Sequence, residues 1–287
     1  MISSKTVPKF SYDIELYESY LFDLSLNKKH PINQPTFMML SKVDGRRTFE
    51  EIMAMLQADY PDADPQLIEQ DFTTLLLSMK RHLLIDLPGT LKEKLRQASI
   101  SMMNPMVREF SYQRHSFQGF SFMKILFSLT WITLRKMMPI LLLFLLLACG
   151  LIMMSGQTPL IIYPVSLLVV ILSIILSIAV HEAAHLYLLR RLTKNPNLGH
   201  IKEQVLTLKV VRPQMEEDLQ VITAGPLLTA SVGGAGLWLT MLVTQPFWHL
   251  TLHVCAGIFL LHLLYLLPFI GDGRNFKYSI NEREFLL

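Results

Sequence analysis

Leu160 to Leu189 reads LIIYPVSLLVVILSIILSIAVHEAAHLYLL, and its single charged residue is Glu182. A bilayer-crossing helix needs about 20 mostly apolar residues, so this stretch predicts a transmembrane helix. Three more stretches qualify, at about 138–154 (with the run Ile140 to Leu147), 219–243 and 250–270. The shorter apolar stretch Phe120 to Leu134 is interrupted by Lys124 and runs into Arg135 and Lys136. It is expected to lie on the membrane as an interfacial helix. Hydrophobic residues make up 51% of the chain and charged ones 17%, with a mean hydropathy of +0.37. That balance argues against a soluble globular protein. The fold expected is an α-helical polytopic membrane protein of about four transmembrane helices, with a small N-terminal α/β winged-helix-like domain. The domains expected are 1–90, a linker and interfacial helix at 91–136, and a membrane domain at 137–287.

Loop charges set the expected orientation. Arg190, Arg191, Lys194, Lys202, Lys209 and Arg212 follow the second span, and Arg274, Lys277 and Arg283 lie in the tail. Lys124, Arg135 and Lys136 precede the first span, while Ser155–Pro159 and Thr244–His249 carry no Lys or Arg. Basic clusters stay on the cytoplasmic side. Four spans with both termini cytoplasmic satisfy that rule, which places the chain in a cell membrane as a multi-pass protein. Residues 1–20 have no apolar core, so no signal peptide is expected. Cys149 and Cys255 lie in apolar runs and are expected as small buried residues, not as a disulfide.

Within the second span stands His181-Glu182-Ala183-Ala184-His185. Histidines four apart on a helix share a face, about 6 Å apart along the axis, so both imidazoles reach one metal ion. Glu182 is placed to act as general base on a water beside that ion. A carboxylate inside a span costs a few kcal/mol or more and persists where it has a function and a partner. A tetrahedral zinc site with two histidines and a water has room for one more protein ligand. His181 lies about 14 Å from the Arg190 end of its helix, so that ligand must come from similar depth. Asp272, in Leu266-Leu267-Pro268-Phe269-Ile270-Gly271-Asp272-Gly273, is the carboxylate at the end of the last span. Pro268, Gly271 and Gly273 break the helix there, so the chain could turn back towards the metal. Asp272 is the proposed third ligand; a turn residue in the Asp-Gly pair is the alternative. His262 and His253 in the same span are weaker candidates.

Ala224-Gly225-Pro226, Gly233, Gly234 and Gly236 open the third span with small residues that allow close helix packing, with substrate access as the other reading. Gln204 to Arg212 alternates like a strand. It is read as a membrane-surface hairpin, or as an edge for an extended substrate.

Spans two to four resemble the site-2 protease family of intramembrane zinc metalloproteases. The matching motifs are His181–His185, Gly225-Pro226 and Leu267-Pro268…Asp272-Gly273. The resemblance implies one Zn2+ per chain held by His181, His185 and Asp272, with Glu182 catalytic. Departures are Tyr265 where Asn is frequent, a Pro-to-Asp spacing one residue short, and Arg274 where Gly is common.

Before residue 90 the pattern changes. Tyr17 to Leu26 predicts a strand, and Gln34 to Val43 a helix ending at Asp44-Gly45. Thr48-Phe49-Glu50-Glu51 is a capping box opening a helix to about Ala58. Asp64-Pro65 starts a third helix whose core face is expected to hold Leu67, Phe72, Leu75, Leu76 and Met79. Leu83 to Leu87 is expected to return as a strand. This order, with Leu40-x-x-x-Asp44-Gly45, Thr48-x-x-Glu51 and Tyr60-Pro61, is similar to PqqD-like domains over residues 10–88. That likeness implies binding of a precursor peptide's leader as an added strand. A generic winged-helix domain is the alternative. No nucleic-acid partner is expected, because Lys80 and Arg81 are the only basic residues of the third helix. Residues 90–119 carry no functional signal. The combined architecture resembles the membrane metalloproteases of bacterial epipeptide clusters. It implies maturation of a ribosomally made, modified precursor peptide at the lipid bilayer. The alternatives are regulatory cleavage of a membrane-bound signalling protein, and a noncatalytic scaffold for export or immunity.

Overall fold

The computed structural model describes residues 2–88, 113–119, 121–155, 162–203, 208–213, 218–267 and 272. The chain forms two compact units: residues 1–118 with 197–213, and residues 119–196 with 214–287.

In the first unit β1 (Lys9–Phe10) pairs antiparallel with β5 (Ile85–Asp86). Strands β2 (Ile14–Leu16), β3 (Tyr20–Asp23) and β4 (Lys28–Pro31) form an antiparallel meander in which Leu16 faces Leu21 and Phe22 faces Lys29. The single strand expected at Tyr17 to Leu26 is therefore shorter, with turns on both sides. Three helices follow: α1 (Gln34–Leu40), α2 (Phe49–Asp59) and α3 (Pro65–Arg81). Their starts are legible chemistry. Thr48 accepts from the Glu51 amide while Glu51 accepts from the Thr48 amide at 2.7 Å, satisfying two orphan donors reciprocally. Asp64 caps α3 through the Gln66 amide at 2.9 Å. After α1, Gly45 takes φ +73, a backbone state open to glycine, and Asp44 accepts from the Arg46 and Arg47 amides.

The core joins Leu21, Leu40, Ile52, Leu56, Phe72, Leu76, Leu84 and Ile85, with Phe49 stacked on Phe72 at 5.6 Å. On α3 the buried residues are Ile68, Phe72 and Leu76, a stripe spaced by four. Leu75 and Met79 pack against it half-buried. Leu67 is corrected: it is 55% exposed, because it stands about 100° round the helix from Ile68.

Residues 90–119, without a signal in the sequence, contribute β6 (Gln113–His115), which pairs with β7 (His200–Glu203); β7 pairs in turn with β8 (Leu208–Val211). The strand expected at Gln204 to Arg212 is thus one arm of a hairpin, its residues 204–207 lying outside the described residues. The chain leaves the helical unit, adds this hairpin to the N-terminal unit and returns.

The second unit is helical: α4 (Phe122–Ser155), α5 (Ile162–Thr193), α6 (Asp218–Thr240) and α7 (Pro246–Leu260), the last continued by a 3₁₀ segment, Leu261–Leu266. Three of these helices are long and apolar enough to cross a membrane, or four if α4, bent by 46° beyond Pro139, is one span. The stretch expected to lie on the membrane and the first expected span are continuous in the fold. Residues 122–155 are one bent helix, because Pro139 removes a hydrogen-bond donor and tilts the axis without ending it. On α4, Leu142, Leu143, Leu146 and Leu147 are exposed, an apolar surface suited to lipid and unsuited to water. Cys255 is buried as expected, but Cys149 is exposed on that same helix. Arg190 is fully buried, with Nη1 donating to the Gly119 carbonyl at 3.1 Å, so it is not a freely solvated flanking charge. The connection Ser155–Pro159, beyond Ser155, and the tail after Asp272 lie outside the described residues.

Small residues set how closely the helices pack. A Cβ on Gly233 would meet the Ala256 carbonyl oxygen and the Leu260 amide nitrogen at 2.9 Å, so α6 and α7 meet backbone to backbone. Ser166 and Thr251 share a hydrogen bond of 2.8 Å between α5 and α7; α5 also packs against α4 and α6.

Candidate metal centre

Helical geometry puts His181 and His185 on the inner face of α5, where they are 4% and 5% exposed. Their neighbours Ala179, Val180, Ala183 and Ala184 are buried with them, the alanines leaving room for the two rings. The Nε2 atoms of the two histidines are 3.1 Å apart. Asp272 Oδ2 lies 2.9 Å from His181 Nε2 and 3.3 Å from His185 Nε2. The sequence proposed Asp272 from depth and helix-breaking neighbours. The structure places it against both rings, while Pro268, Gly271 and Gly273 lie outside the described residues.

These three form a group whose ligating atoms lie within 4.8 Å of one another. The donor chemistry fits a cation. His185 Nδ1 is 2.5 Å from the Val221 carbonyl oxygen, which can only accept, so this nitrogen carries the proton. In the neutral ring Nε2 is then a lone pair. That lone pair faces a second imidazole nitrogen and a carboxylate oxygen. Tetrahedral zinc ligands at about 2.0–2.1 Å from the ion stand about 3.3 Å apart. The observed edges of 2.9, 3.1 and 3.3 Å are near that spacing and slightly tighter.

Gly225 has a role here beyond general helix packing. A Cβ at this position would collide with His185 Nε2 and sit 2.7 and 2.8 Å from Cε1 and Cδ2. Its bare backbone lets α6 approach the His185 ring and puts the Val221 carbonyl, one turn earlier, on Nδ1. Thr229 Oγ1 donates to the Gly225 carbonyl at 2.8 Å. Glu182, next to His181, is half-buried.

Two weaker candidates separate clearly. His253 contacts Thr240 Oγ1 at 3.3 Å and the His249 carbonyl at 2.8 Å, so it belongs to another part of the bundle. His262 stands behind His181, its Nδ1 3.0 Å from His181 Nδ1, and it is not one of the three converging atoms.

A second buried polar cluster, in the N-terminal unit, escaped the sequence reading. Arg114 grips Asp23 with both terminal nitrogens, at 2.8 and 2.6 Å, and also meets Asp13 and Ser25. Ser25 Oγ lies 2.7 Å from His200 Nδ1. His115 pairs with buried Glu203. Burial alone would raise the Asp23 carboxyl, but the hydrogen bonds and charge of Arg114 outweigh it and hold the pKa below the usual value. Burial and the same guanidinium push His200 down to about 3. One signal existed: acidic and basic residues in short strand-like stretches. Nothing local paired them.

No known family, curated protein or solved structure matches the chain.

Proposed function

We propose that this chain is an intramembrane zinc metalloprotease that cleaves a ribosomally made, modified precursor peptide during its maturation. The observation that carries the reading is the convergence of His181, His185 and Asp272 donor atoms, directly beside Glu182, in apolar helices suited to a membrane. His181, His185 and Asp272 would hold the ion. Bound zinc would polarise a peptide carbonyl and lower the pKa of a water molecule. Glu182 would accept the proton of the attacking water and return it to the leaving amine. Gly225 leaves the ring of His185 unobstructed, and Val221 holds that ring in the ligating tautomer. Both termini would be cytoplasmic in a bacterial cell membrane. The N-terminal unit, whose order of strands and capped helices supports a PqqD-like reading, would take the leader of the precursor as an added strand.

The test is co-expression with candidate precursor peptides, read by mass spectrometry, with zinc content measured on the purified protein. Wild-type protein is expected to hold one zinc per chain and to shorten a peptide. Glu182→Gln should keep the zinc and lose about 10³-fold in cleavage, within the range for a general base. Identical peptide masses with both proteins would remove the protease reading; wild-type protein without stoichiometric zinc would remove the metal site.

A further inference from the structure

The segment Leu261–Leu266 turns in 3₁₀ fashion, so side chains three apart eclipse. His262 and Tyr265 are such a pair, their rings stacked 5.2 Å apart at 14°. Both lie against His181, with ring centroids at 4.8 and 5.2 Å. His262 is 6% exposed. Its Nδ1 lies 3.0 Å from His181 Nδ1, the ring nitrogen turned away from His185 and Asp272. Ligating histidines tie their second nitrogen to a carboxylate, a carbonyl or water, which fixes tautomer and orientation. His185 does this through the Val221 carbonyl. His181 meets another imidazole in the same role.

We infer that His262 is a positioning residue for the ligand His181, its Nδ1 accepting the His181 Nδ1–H so that the His181 Nε2 lone pair faces the site, while Tyr265 holds the His262 ring by stacking. The inference rests on the zinc reading above. A contact between two Nδ1 atoms needs one donor and one acceptor. Only the proton on His181 leaves its Nε2 free to ligate, and His262 then keeps its own proton on Nε2. The 3₁₀ tightening after α7 aligns the pair: a continued α-helix would set residues 262 and 265 about 60° apart around the axis, whereas the 3₁₀ turn brings them into eclipse. The sequence departure at Tyr265 thus falls on the residue that supports His262.

The experiment uses the full-length protein in detergent, titrated with zinc against a chelator, and with Co2+ as a visible probe of the ligand field. His262→Leu should weaken zinc binding about 10- to 100-fold and alter the Co2+ spectrum. His262→Asn, whose amide oxygen can stand near the Nδ1 position, should restore most of the affinity. His253→Leu, on the same span but bonded to Thr240, should change neither. Unchanged affinity in His262→Leu overturns the positioning role and leaves the zinc reading intact. Equal losses in His262→Leu and His262→Asn make the ring a packing residue and also overturn it. Wild-type protein that binds no zinc overturns the zinc reading itself.

Discussion

The molecule buries two polar clusters, and they are built on opposite logic. In the N-terminal unit a guanidinium faces carboxylates: Arg114 donates to Asp23 twice and also reaches Asp13 and Ser25. Opposite charges meet and most donors meet acceptors, with Asp13 Oδ1 and Arg114 Nε left buried without a hydrogen-bond partner among the described residues. In the helical unit two imidazole nitrogens and a carboxylate oxygen converge with edges of 2.9 to 3.3 Å. The protons that would relieve them are turned outward, onto Val221 and His262. The first cluster ties strands together; the second is a group of donor atoms that could hold a metal ion. Burial, histidine and aspartate are common to both, so residue type alone does not separate structure from function. The direction in which each proton points does.

The contrast can be broken at its structural side first. Arg114→Leu would leave Asp13 and Asp23 buried with no cation between them, at a cost of about 3–5 kcal/mol. Hydrogen exchange in segments 13–25 and 200–203 should rise sharply. Unchanged protection would show that the guanidinium contributes little to the fold.

At the functional side, Gly225→Ala places a methyl group against the His185 ring. Zinc affinity is expected to fall about 10- to 100-fold, the scale seen when the support of a ligand is disturbed. Gly234→Ala, where a Cβ meets nothing within 4 Å, serves as the comparison and should be silent. Equal zinc binding in the two variants would remove the argument that Gly225 exists for His185.

The smallest expected effect is a pH dependence confined to the N-terminal unit. His200 is held neutral in the fold, its pKa pushed down to about 3 by burial and by Arg114, against about 6.5 when unfolded. A depressed folded value contributes stability that is present above the unfolded pKa and lost as pH falls towards the folded one. Asp23, also depressed, adds to the loss below about pH 4. Exchange protection of the 200–203 strand, corrected for intrinsic rates, should therefore decline from about pH 6.5 downward, and His200→Gln should flatten the upper part of that decline. A flat wild-type profile between pH 7 and 5 would contradict the buried neutral histidine.

Much of the fold was legible because its signals are local. The capping box at Thr48 and Glu51 and the Asp64-Pro65 start are chemistry within one helical turn, and each marks an observed boundary, whereas α1 stops at Leu40, ahead of the Val43 end expected before Asp44-Gly45. Apolar length marked α5, α6 and α7 for the same reason. The strand at 113–115 was not legible, since three polar residues become a strand only when β7 lies beside them. Nor was the continuity of α4 through Pro139, because a proline reads equally as a kink and as a stop.

The sequence by itself determined the His181–Glu182–His185 face, because four residues of α-helix fix which side chains share a side whatever surrounds them. It also determined the apolar lengths suited to a bilayer. Only the tertiary structure decided that Asp272 meets both His181 and His185, that Gly225 makes room for His185, that His262 stands behind His181, and that Arg114 joins Asp13 and Asp23. Those neighbours lie tens of residues apart in the chain, and their meeting depends on how helices and strands pack, which no local periodicity encodes.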